Sequence, residues 1–179
     1  MFIAPFVASP YTVVKRMLTL AELKPGEVLY DLGAGDGGIV IVAAKEFGAR
    51  AVGVELRSDL AKKAMERVRE EGLEGKAKII NDDLFKVSIH DADVVTLYLT
   101  TSANSKVRGK LEAELKENAR VVSHDYEILD WKPIKSERFC ENSSLGYPTH
   151  TIYVYKKGLE RVGGLKVLSE LKRGIREVF

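Results

Sequence analysis

Residues 28–38 read Val-Leu-Tyr-Asp-Leu-Gly-Ala-Gly-Asp-Gly-Gly, and they are the most informative part of this 179-residue chain. An apolar run that ends in glycines and is followed by the apolar residues 39–44 is typical of a buried strand, a tight turn and a helix. Gly33, Gly35 and Gly38 satisfy the pattern G-x-G-x-x-G, and Glu55 lies about twenty residues further on, where a ligand for ribose hydroxyls belongs. The pattern indicates a nucleotide-binding turn, and the alternative is an ordinary tight turn with Asp36 as a helix cap.

The charge of this turn separates two classes of ligand. A dinucleotide would place its pyrophosphate at the helix N-terminus, but Asp31 ends the strand and Asp36 lies inside the turn. At ~5 Å and an effective dielectric constant of ~20, each carboxylate would repel a phosphate by roughly 3 kcal/mol. S-adenosylmethionine (SAM) has no phosphate, and Asp31 would attract its ammonium and sulfonium groups. The acidic turn therefore favours SAM, and a nicotinamide-dependent dehydrogenase is the less favoured alternative.

Hydrophobic patterning along the rest of the chain predicts alternating strands and helices. The predicted helices begin at Ser9-Pro10, where Ser9 is expected to be the N-cap, and then cover residues 39–47, 58–71 and 105–115. Predicted strands cover residues 27–32, 51–55, 76–80, 92–99, 120–124, 134–140 and 149–155. This alternation predicts an α/β fold with a mostly parallel sheet and helices on both faces. The last two strands have no helix between them, so they should form a hairpin that adds an antiparallel strand.

Composition excludes several classes of protein. The chain is 45% hydrophobic and 30% charged, which is typical of a globular protein and not of a disordered one. Its single cysteine, Cys140, excludes an internal disulfide and a cysteine-cluster metal site. With 28 basic and 26 acidic residues, the net charge of +2 is too balanced to indicate a nucleic-acid or membrane partner. No apolar run approaches the ~18 residues of a membrane span, and a cytoplasmic location is expected.

The chain resembles the seven-stranded Rossmann-like SAM-dependent methyltransferases over residues 10–156. The resemblance is carried by the glycine turn, by the acidic loop Val52-Gly-Val-Glu-Leu56 and by Asn81-Asp-Asp-Leu-Phe85. It implies that SAM is the cofactor, with its methionine end near Asp31 and Gly33 and its ribose on Glu55. The run that starts at Asn81 would bind adenine, although it could be a polar turn. The cofactor-binding residues implied are Asp31, Gly33, Ala34, Gly35, Gly37, Glu55, Leu56, Asp83, Leu84 and Tyr98. Ala34 stands where many relatives have cysteine.

The end of the fourth strand, residues 94–101, bears on the substrate, because the resemblance places it beside the transferred methyl group. It reads Val-Val-Thr-Leu-Tyr-Leu-Thr-Thr and lacks the Asn/Asp-Pro-Pro-Tyr motif of enzymes that methylate adenine or glutamine amino groups. Cys140 lies far from it, against RNA cytosine methylation, and no histidine-rich metal pair accompanies it. Together with residues 120–131, Arg-Val-Val-Ser-His-Asp-Tyr-Glu-Ile-Leu-Asp-Trp, it resembles small archaeal broad-specificity protein lysine methyltransferases. The mitochondrial relatives of these enzymes act on the c subunit of ATP synthase and on the adenine nucleotide translocase.

A lysine substrate would explain the acidic residues near this strand end. With a pKa of ~10.4, only roughly 1 lysine in 2,500 is neutral at pH 7, so the site must draw in a cation and release its proton. We expect Asp125 or Glu127 to attract the ammonium group while Tyr98 and Thr100 shape a channel. The expected catalytic residues are Tyr98, Asp125 and Glu127, the expected substrate-binding residues are Leu99, Thr100, Thr101, Asp125 and Glu127, and no metal is expected.

Each of these side chains also has a plainer interpretation. Tyr98 could belong to the core, Asp125 could cap a loop, and Glu127 could be solvated. His124, at a strand end, is expected to be a structural hydrogen-bonding residue rather than a base, and His90 and His150 have no partner that the sequence identifies. Trp131 is expected to be a packing anchor.

The predicted organisation is a methyltransferase domain over residues 1–157, with residues 1–24 as a helical cover, and an appended amphipathic helix over residues 158–179. Proteins with accessible lysines are the expected partners; nucleic acid and membrane insertion are not expected. The C-terminal helix could mediate self-association into a homo-oligomer. The alternatives left open are a methyltransferase for a small molecule or RNA, and a SAM-binding module without catalysis.

Overall fold

The computed structural model describes residues 6–140 and 148–159, and every strand and helix predicted within those residues is present. The helices are α1 (Tyr11–Leu20), α2 (Gly38–Glu46), α3 (Ser58–Glu70) and α4 (Thr101–Glu114). The strands are β1 (Val28–Leu32), β2 (Arg50–Val54), β3 (Ala77–Ile80), β4 (Val94–Leu97), β5 (Arg120–His124), β6 (Lys135–Cys140) and β7 (Thr149–Lys156). The predicted C-terminal helix lies outside the described residues, apart from a turn that ends at Leu159. Within the described residues, no helix is long and apolar enough to cross a membrane.

The seven strands form one sheet in the order β3-β2-β1-β4-β5-β7-β6. Strands β1 to β5 pair in parallel, whereas β7 runs antiparallel to both β5 and β6. The predicted closing hairpin and its antiparallel strand are therefore confirmed. The strand order reverses between β1 and β4, and such a reversal opens a crevice at the carboxyl ends of the two strands. The residues that follow β1 and β4 consequently meet in one place.

Helices cover both faces of the sheet, and each face has its own apolar core. One core contains Val13 and Leu18 of α1, Val40 of α2 and Ala64 of α3. The other contains Val107 and Leu111 of α4 together with Trp131, whose ring meets Tyr155 edge-on at 5.7 Å. Because Trp131 is buried in this way, its expected role as a packing anchor is confirmed.

Two element boundaries differ from the prediction in ways that shape the crevice. Helix α4 begins at Thr101, four residues before the predicted start, because the Thr100 hydroxyl accepts a hydrogen bond from the Ala103 amide at 3.3 Å and caps the helix. Strand β4 ends at Leu97, so residues 98–100 leave the sheet.

The expectation that Ser9 caps α1 is wrong. Pro10 occupies the N-cap position, and the Ser9 hydroxyl lies 3.1 Å from Nδ1 of His124 instead.

Candidate active site

A cleft of about 960 Å³, part of it open to solvent, lies at the carboxyl ends of β1, β2 and β4. Its floor is formed by the turn after β1, one wall by the residues that follow β2 and β3, and the other wall by Tyr98 and Leu99 after β4. Residues 6–9 of the N-terminal segment also line it. Most of the residues expected to bind the cofactor border this cleft: Asp31, Gly33, Ala34, Glu55, Leu56, Asp83, Leu84 and Tyr98.

The remaining two glycines expected to bind the cofactor shape the turn rather than line the cleft. Gly37 has φ +81°, and a Cβ atom there would lie 3.0 Å from the Cβ of Ala64, so its absence lets the turn pack against α3. Gly35 has φ +55°, and a Cβ atom there would overlap the ring of Phe6 at 2.3 Å. The N-terminal segment therefore lies directly over the glycine turn, which is a contact that no local sequence pattern indicates.

Asp31 supplies a buried carboxyl group at the inner end of the cleft. Its side chain accepts a hydrogen bond from the Thr96 hydroxyl at 2.7 Å, and only 3% of the residue is exposed. Burial raises the pKa of Asp31 to about 7, against the lowering effect of the Thr96 hydrogen bond, and the nearby acidic Glu55 and Asp36 raise it further. A cationic ligand beside Asp31 would favour the ionised carboxylate, because the attraction between the two charges offsets the cost of burying the carboxylate.

Glu55 organises the turn from the end of β2. One of its carboxylate oxygens accepts a hydrogen bond from the Gly35 amide and the other from the Arg57 amide, both at 2.8 Å. Each carboxylate oxygen has a second lone-pair direction, so the group can also accept hydrogen bonds from the hydroxyls of a ligand in the cleft. The Asn81 side chain donates to the carbonyls of Glu55 and Leu56 and ties the ends of β2 and β3 together.

Asp36 contributes less negative charge to the cleft than its place in the sequence predicts. Its carboxylate lies 2.8 Å from the guanidinium of Arg67 and 3.9 Å from the Lys63 ammonium, and both cations come from α3. These ion pairs weaken the repulsion that Asp36 would exert on a phosphate. Arg57 is the one basic residue among the described lining residues, and its guanidinium pairs with Asp59 at 2.6 Å.

Residues 81–85 form a tight polar turn at the outer end of the cleft. The Phe85 amide donates to a carboxylate oxygen of Asp83 at 3.0 Å, as in a turn closed by an aspartate side chain. Asp83 and Leu84 both line the cleft, together with the partly exposed apolar side chains of Leu56 and Phe85. Residues 81–85 therefore form the polar turn that was the plainer alternative, and the same turn lines the cleft where an adenine ring was expected.

The cleft as a whole fits SAM. Asp31 offers a buried acidic partner for an ammonium group, Glu55 offers acceptors for ribose hydroxyls, and the turn at Asp83 offers polar and apolar groups for an adenine ring. A dinucleotide would instead bring a pyrophosphate close to the buried Asp31, and the ionised carboxylate of Asp31 would repel it.

Tyr98 forms the end of the cleft where the sequence analysis places the substrate. Its ring lies against the ring of His124, with centroids 3.9 Å apart. Burial, followed by the negative charge of Asp125, raises the pKa of Tyr98 above its ordinary value, so the phenol stays protonated at neutral pH. Leu99 is buried beside Gly33. Thr101 is the first residue of α4, and Thr100 is its N-cap. The Thr100 hydroxyl therefore has a structural role, because it accepts the hydrogen bond from the Ala103 amide.

The two acidic residues expected to act on the substrate occupy different environments, and neither is among the residues that line the cleft. Asp125 is half-buried with φ +60°; one carboxylate oxygen accepts from the Thr151 amide at 2.8 Å, and the other lies 3.3 Å from Nε2 of His124. Glu127 is exposed, and its charge contributes to a raised pKa of Tyr153, after burial.

Asn104 is a buried residue that the sequence patterns above did not identify. Its side-chain amide, on α4, donates to the carbonyls of Tyr126 and Glu127 at 2.9 and 3.3 Å, and to the Ser123 hydroxyl at 3.1 Å. It therefore holds the loop that carries Asp125 and Glu127. No sequence pattern identifies it, because Asn104 lies just before the predicted helix start at residue 105 and the next residue, Ser105, is polar as well.

The strand order, the cleft and its acidic groups together define a SAM-dependent methyltransferase. The sequence model of the ANTKMT methyltransferase domain matches residues 31–135, and this chain belongs to that family.

Its relatives support both the cofactor and the class of enzyme. The chain is 42% identical over 155 residues to a protein-lysine N-methyltransferase of Saccharolobus islandicus, in an alignment that covers 86% of this chain and 94% of that protein. It is 36% identical over 131 residues to the adenine nucleotide translocase lysine N-methyltransferase of Mus musculus, covering 73% of this chain and 56% of the mouse protein. The crystal structure of an RNA methyltransferase from Salinibacter ruber in complex with S-adenosyl-L-homocysteine superimposes with a TM-score of 0.80 at 41% identity, covering 89% of this chain and 99% of that one.

Proposed function

We propose that this enzyme transfers methyl groups from SAM to the ε-amines of lysine residues in proteins, with relaxed sequence specificity. The observation that carries the proposal is the 42% identity to a protein-lysine N-methyltransferase, because it extends over almost the whole of both chains. The acidic and aromatic residues beside the cleft support it independently.

The chemical problem for such an enzyme is the charge of its substrate. A lysine side chain is cationic at pH 7, and selecting the neutral amine costs about 4.6 kcal/mol at pH 7 for a pKa of ~10.4. The carboxylate of Asp125, held by the Thr151 amide, and the exposed carboxylate of Glu127 would attract the ammonium group. Burial of that group beside a sulfonium would then lower its pKa and favour loss of the proton to water.

The residues of the chain would act mainly by alignment. When bound, SAM supplies a methyl group on a sulfonium, and the substrate nitrogen has to lie in line with it. Tyr98 and Leu99 would wall a narrow channel at the end of β4, with Thr100 and Thr101 at its rim. Tyr98 stays protonated, so we assign it the exclusion of water and the orientation of the amine, and we do not assign it the role of a base. Asp31, Gly33, Ala34, Gly35, Gly37, Glu55, Leu56, Asp83 and Leu84 would hold the cofactor.

Incubation with isotope-labelled SAM and a lysine-rich protein mixture, followed by mass spectrometry of the labelled peptides, tests this proposal. We expect methyl groups on many lysines, and we expect Asp125→Asn and Glu127→Gln each to lower kcat/KM for protein substrates. Glu74→Gln is the matched control, since it removes an exposed carboxylate beyond the end of α3 that pairs with Arg69. Equal activity of all three variants would overturn the roles given to Asp125 and Glu127.

RNA is the second candidate substrate, because the Salinibacter ruber protein with 41% identity is named an RNA methyltransferase. Total RNA incubated in parallel with the protein mixture separates the two. Label that appears in RNA alone would leave the cofactor site standing and would overturn the lysine assignment. Label in neither fraction, with SAM still bound, would indicate a small-molecule substrate or a binding module.

Two further expectations belong to this proposal. A cytoplasmic location is expected for a chain whose single cysteine excludes an internal disulfide, and fractionation of the source cells would test it. Self-association through residues 158–179 would be tested by comparing the mass in solution of the full chain with that of a chain ending at residue 157.

A further inference from the structure

Two histidines and an aspartate meet beside the cleft, although 26 residues separate His124 from His150 in the chain. Nε2 of His124 lies 3.0 Å from Nδ1 of His150, and a carboxylate oxygen of Asp125 lies 3.3 Å from the first nitrogen and 3.7 Å from the second. His124 and His150 are buried and Asp125 is half-buried. Each of the three side chains offers one ligand-type atom, and these atoms all lie within 4.8 Å of one another.

The spacing of these atoms matches a transition-metal site. Ligands about 2.0–2.2 Å from a tetrahedral zinc ion are separated from one another by roughly 3.3 Å. The three distances here scatter around that value, and a point about 2 Å from all three atoms exists close to their plane. The three ligand atoms therefore already have the separations that a bound transition-metal ion requires.

The remaining polar atoms of Asp125 and His124 already have the kind of partners that orient metal ligands. The second carboxylate oxygen of Asp125 accepts from the Thr151 amide at 2.8 Å, which fixes the rotation of the group. Nδ1 of His124 lies 3.1 Å from the Ser9 hydroxyl, so it can carry the proton while Nε2 keeps its lone pair. Outer contacts of this kind orient the ligands of known metal sites.

We propose that His124, Asp125 and His150 bind a divalent first-row transition metal, with Zn²⁺ as the representative ion. Two imidazole nitrogens and one carboxylate favour such a metal over Mg²⁺ or Ca²⁺, which prefer oxygen ligands. Three protein ligands leave a position for water. The sequence alone identifies no partner for His150, and it is the pairing of β5 with β7 that brings His150 to His124.

The metal would also affect catalysis, and this consequence rests on the proposed function. A metal bound to Asp125 would neutralise the carboxylate that attracts the lysine ammonium. It would also place positive charge next to His124 and Tyr98. Zn²⁺ should therefore inhibit methyl transfer to proteins.

Titration of the untagged, chelator-treated full chain with Zn²⁺ by calorimetry, and with Co²⁺ by visible absorption, tests the site without any substrate. We expect one ion per chain and the absorption bands of a low-coordinate Co²⁺ centre with nitrogen and oxygen ligands. His150→Ala and Asp125→Asn should each weaken binding by more than about 10-fold, and Ser9→Ala by about 10-fold. His90→Ala is the matched control, since His90 is exposed and lies beside the Glu114 carbonyl; Cys140→Ser excludes the thiol.

The outcomes separate the metal site from the lysine assignment. Absence of saturable binding, or binding that neither His150→Ala nor Asp125→Asn weakens, would overturn the site. Asp125→Asn keeps an oxygen for the Thr151 amide, so it tests the site even if His150→Ala fails to fold. If Zn²⁺ binds as expected but does not inhibit protein methylation, the metal site is supported, and the proposal that Asp125 attracts the lysine ammonium is overturned.

Discussion

Replacing Asp31 by asparagine tests the physical basis of the cofactor site. The carboxyl group is buried and accepts a hydrogen bond from Thr96, and its pKa is raised from 3.8 to about 7, mainly by burial. At about 1.4 kcal/mol per pH unit, this difference corresponds to about 4 kcal/mol. The folded protein binds this proton more tightly than the unfolded chain does. The ionisation of Asp31 therefore costs no stability below about pH 4, and it lowers the free energy of unfolding as the pH rises toward about 7.

Asp31→Asn should remove this cost while keeping the shape of the side chain and an oxygen for Thr96. We expect the variant to be more stable than the wild type above about pH 7, by up to about 4 kcal/mol, and its stability to vary less between about pH 4 and 7. Urea unfolding of the cofactor-free protein over this pH range measures both effects, with Glu74→Gln as an exposed-carboxylate control. A variant that is less stable than the wild type at about pH 8 would refute the reasoning.

The same substitution should have the opposite effect on cofactor binding. The deprotonated Asp31 is the expected partner of the cationic end of SAM, and a hydrogen bond to a charged group contributes about 1.5–3 kcal/mol. Asp31→Asn should therefore weaken SAM binding by roughly 10- to 100-fold above about pH 7. For the wild type, affinity should rise with pH until Asp31 is deprotonated. Calorimetry at several pH values checks this, and equal affinities of the two proteins would place the ammonium group elsewhere.

Three further substitutions test the elements around the cleft. Glu55→Gln leaves one carbonyl acceptor for the Gly35 and Arg57 amides, so we expect a loss of about 1–3 kcal/mol in stability and weaker SAM binding, measured by thermal unfolding and calorimetry. Gly35→Ala would push its methyl group into the Phe6 ring at a positive φ and should weaken SAM binding; if Phe6→Ala relieves none of this effect, the contact is unimportant. Asn104→Ala removes the donor to the loop at 123–127 and should cost about 1–3 kcal/mol in urea unfolding, with reduced methyl transfer. Unchanged stability would show that the loop keeps its conformation without the hydrogen bonds from Asn104.

Local sequence patterns were sufficient for the elements that depend on neighbouring residues. The strand, glycine turn and helix at 28–46 follow from an apolar run, from the glycines and from helical spacing, which are all properties of adjacent residues. The closing hairpin could be predicted because no helical pattern separates its two strands. The acidic residues indicated SAM for the same reason, since Asp31 and Asp36 are close in sequence to the glycine turn.

The partners of those residues depend on contacts between distant parts of the chain. Thr96, which donates to Asp31, lies 65 residues away, and it reaches Asp31 because β4 pairs with β1. Ser9 meets His124 across 115 residues, and His150 joins them because β7 pairs with β5. Periodicity reports which face of an element is buried but carries no information about what lies opposite. The order of the strands and the packing of the helices therefore decided three features that the sequence did not show. These are the ion pairs of Asp36 with α3, the positive φ of Asp125 and the contact between the two histidines.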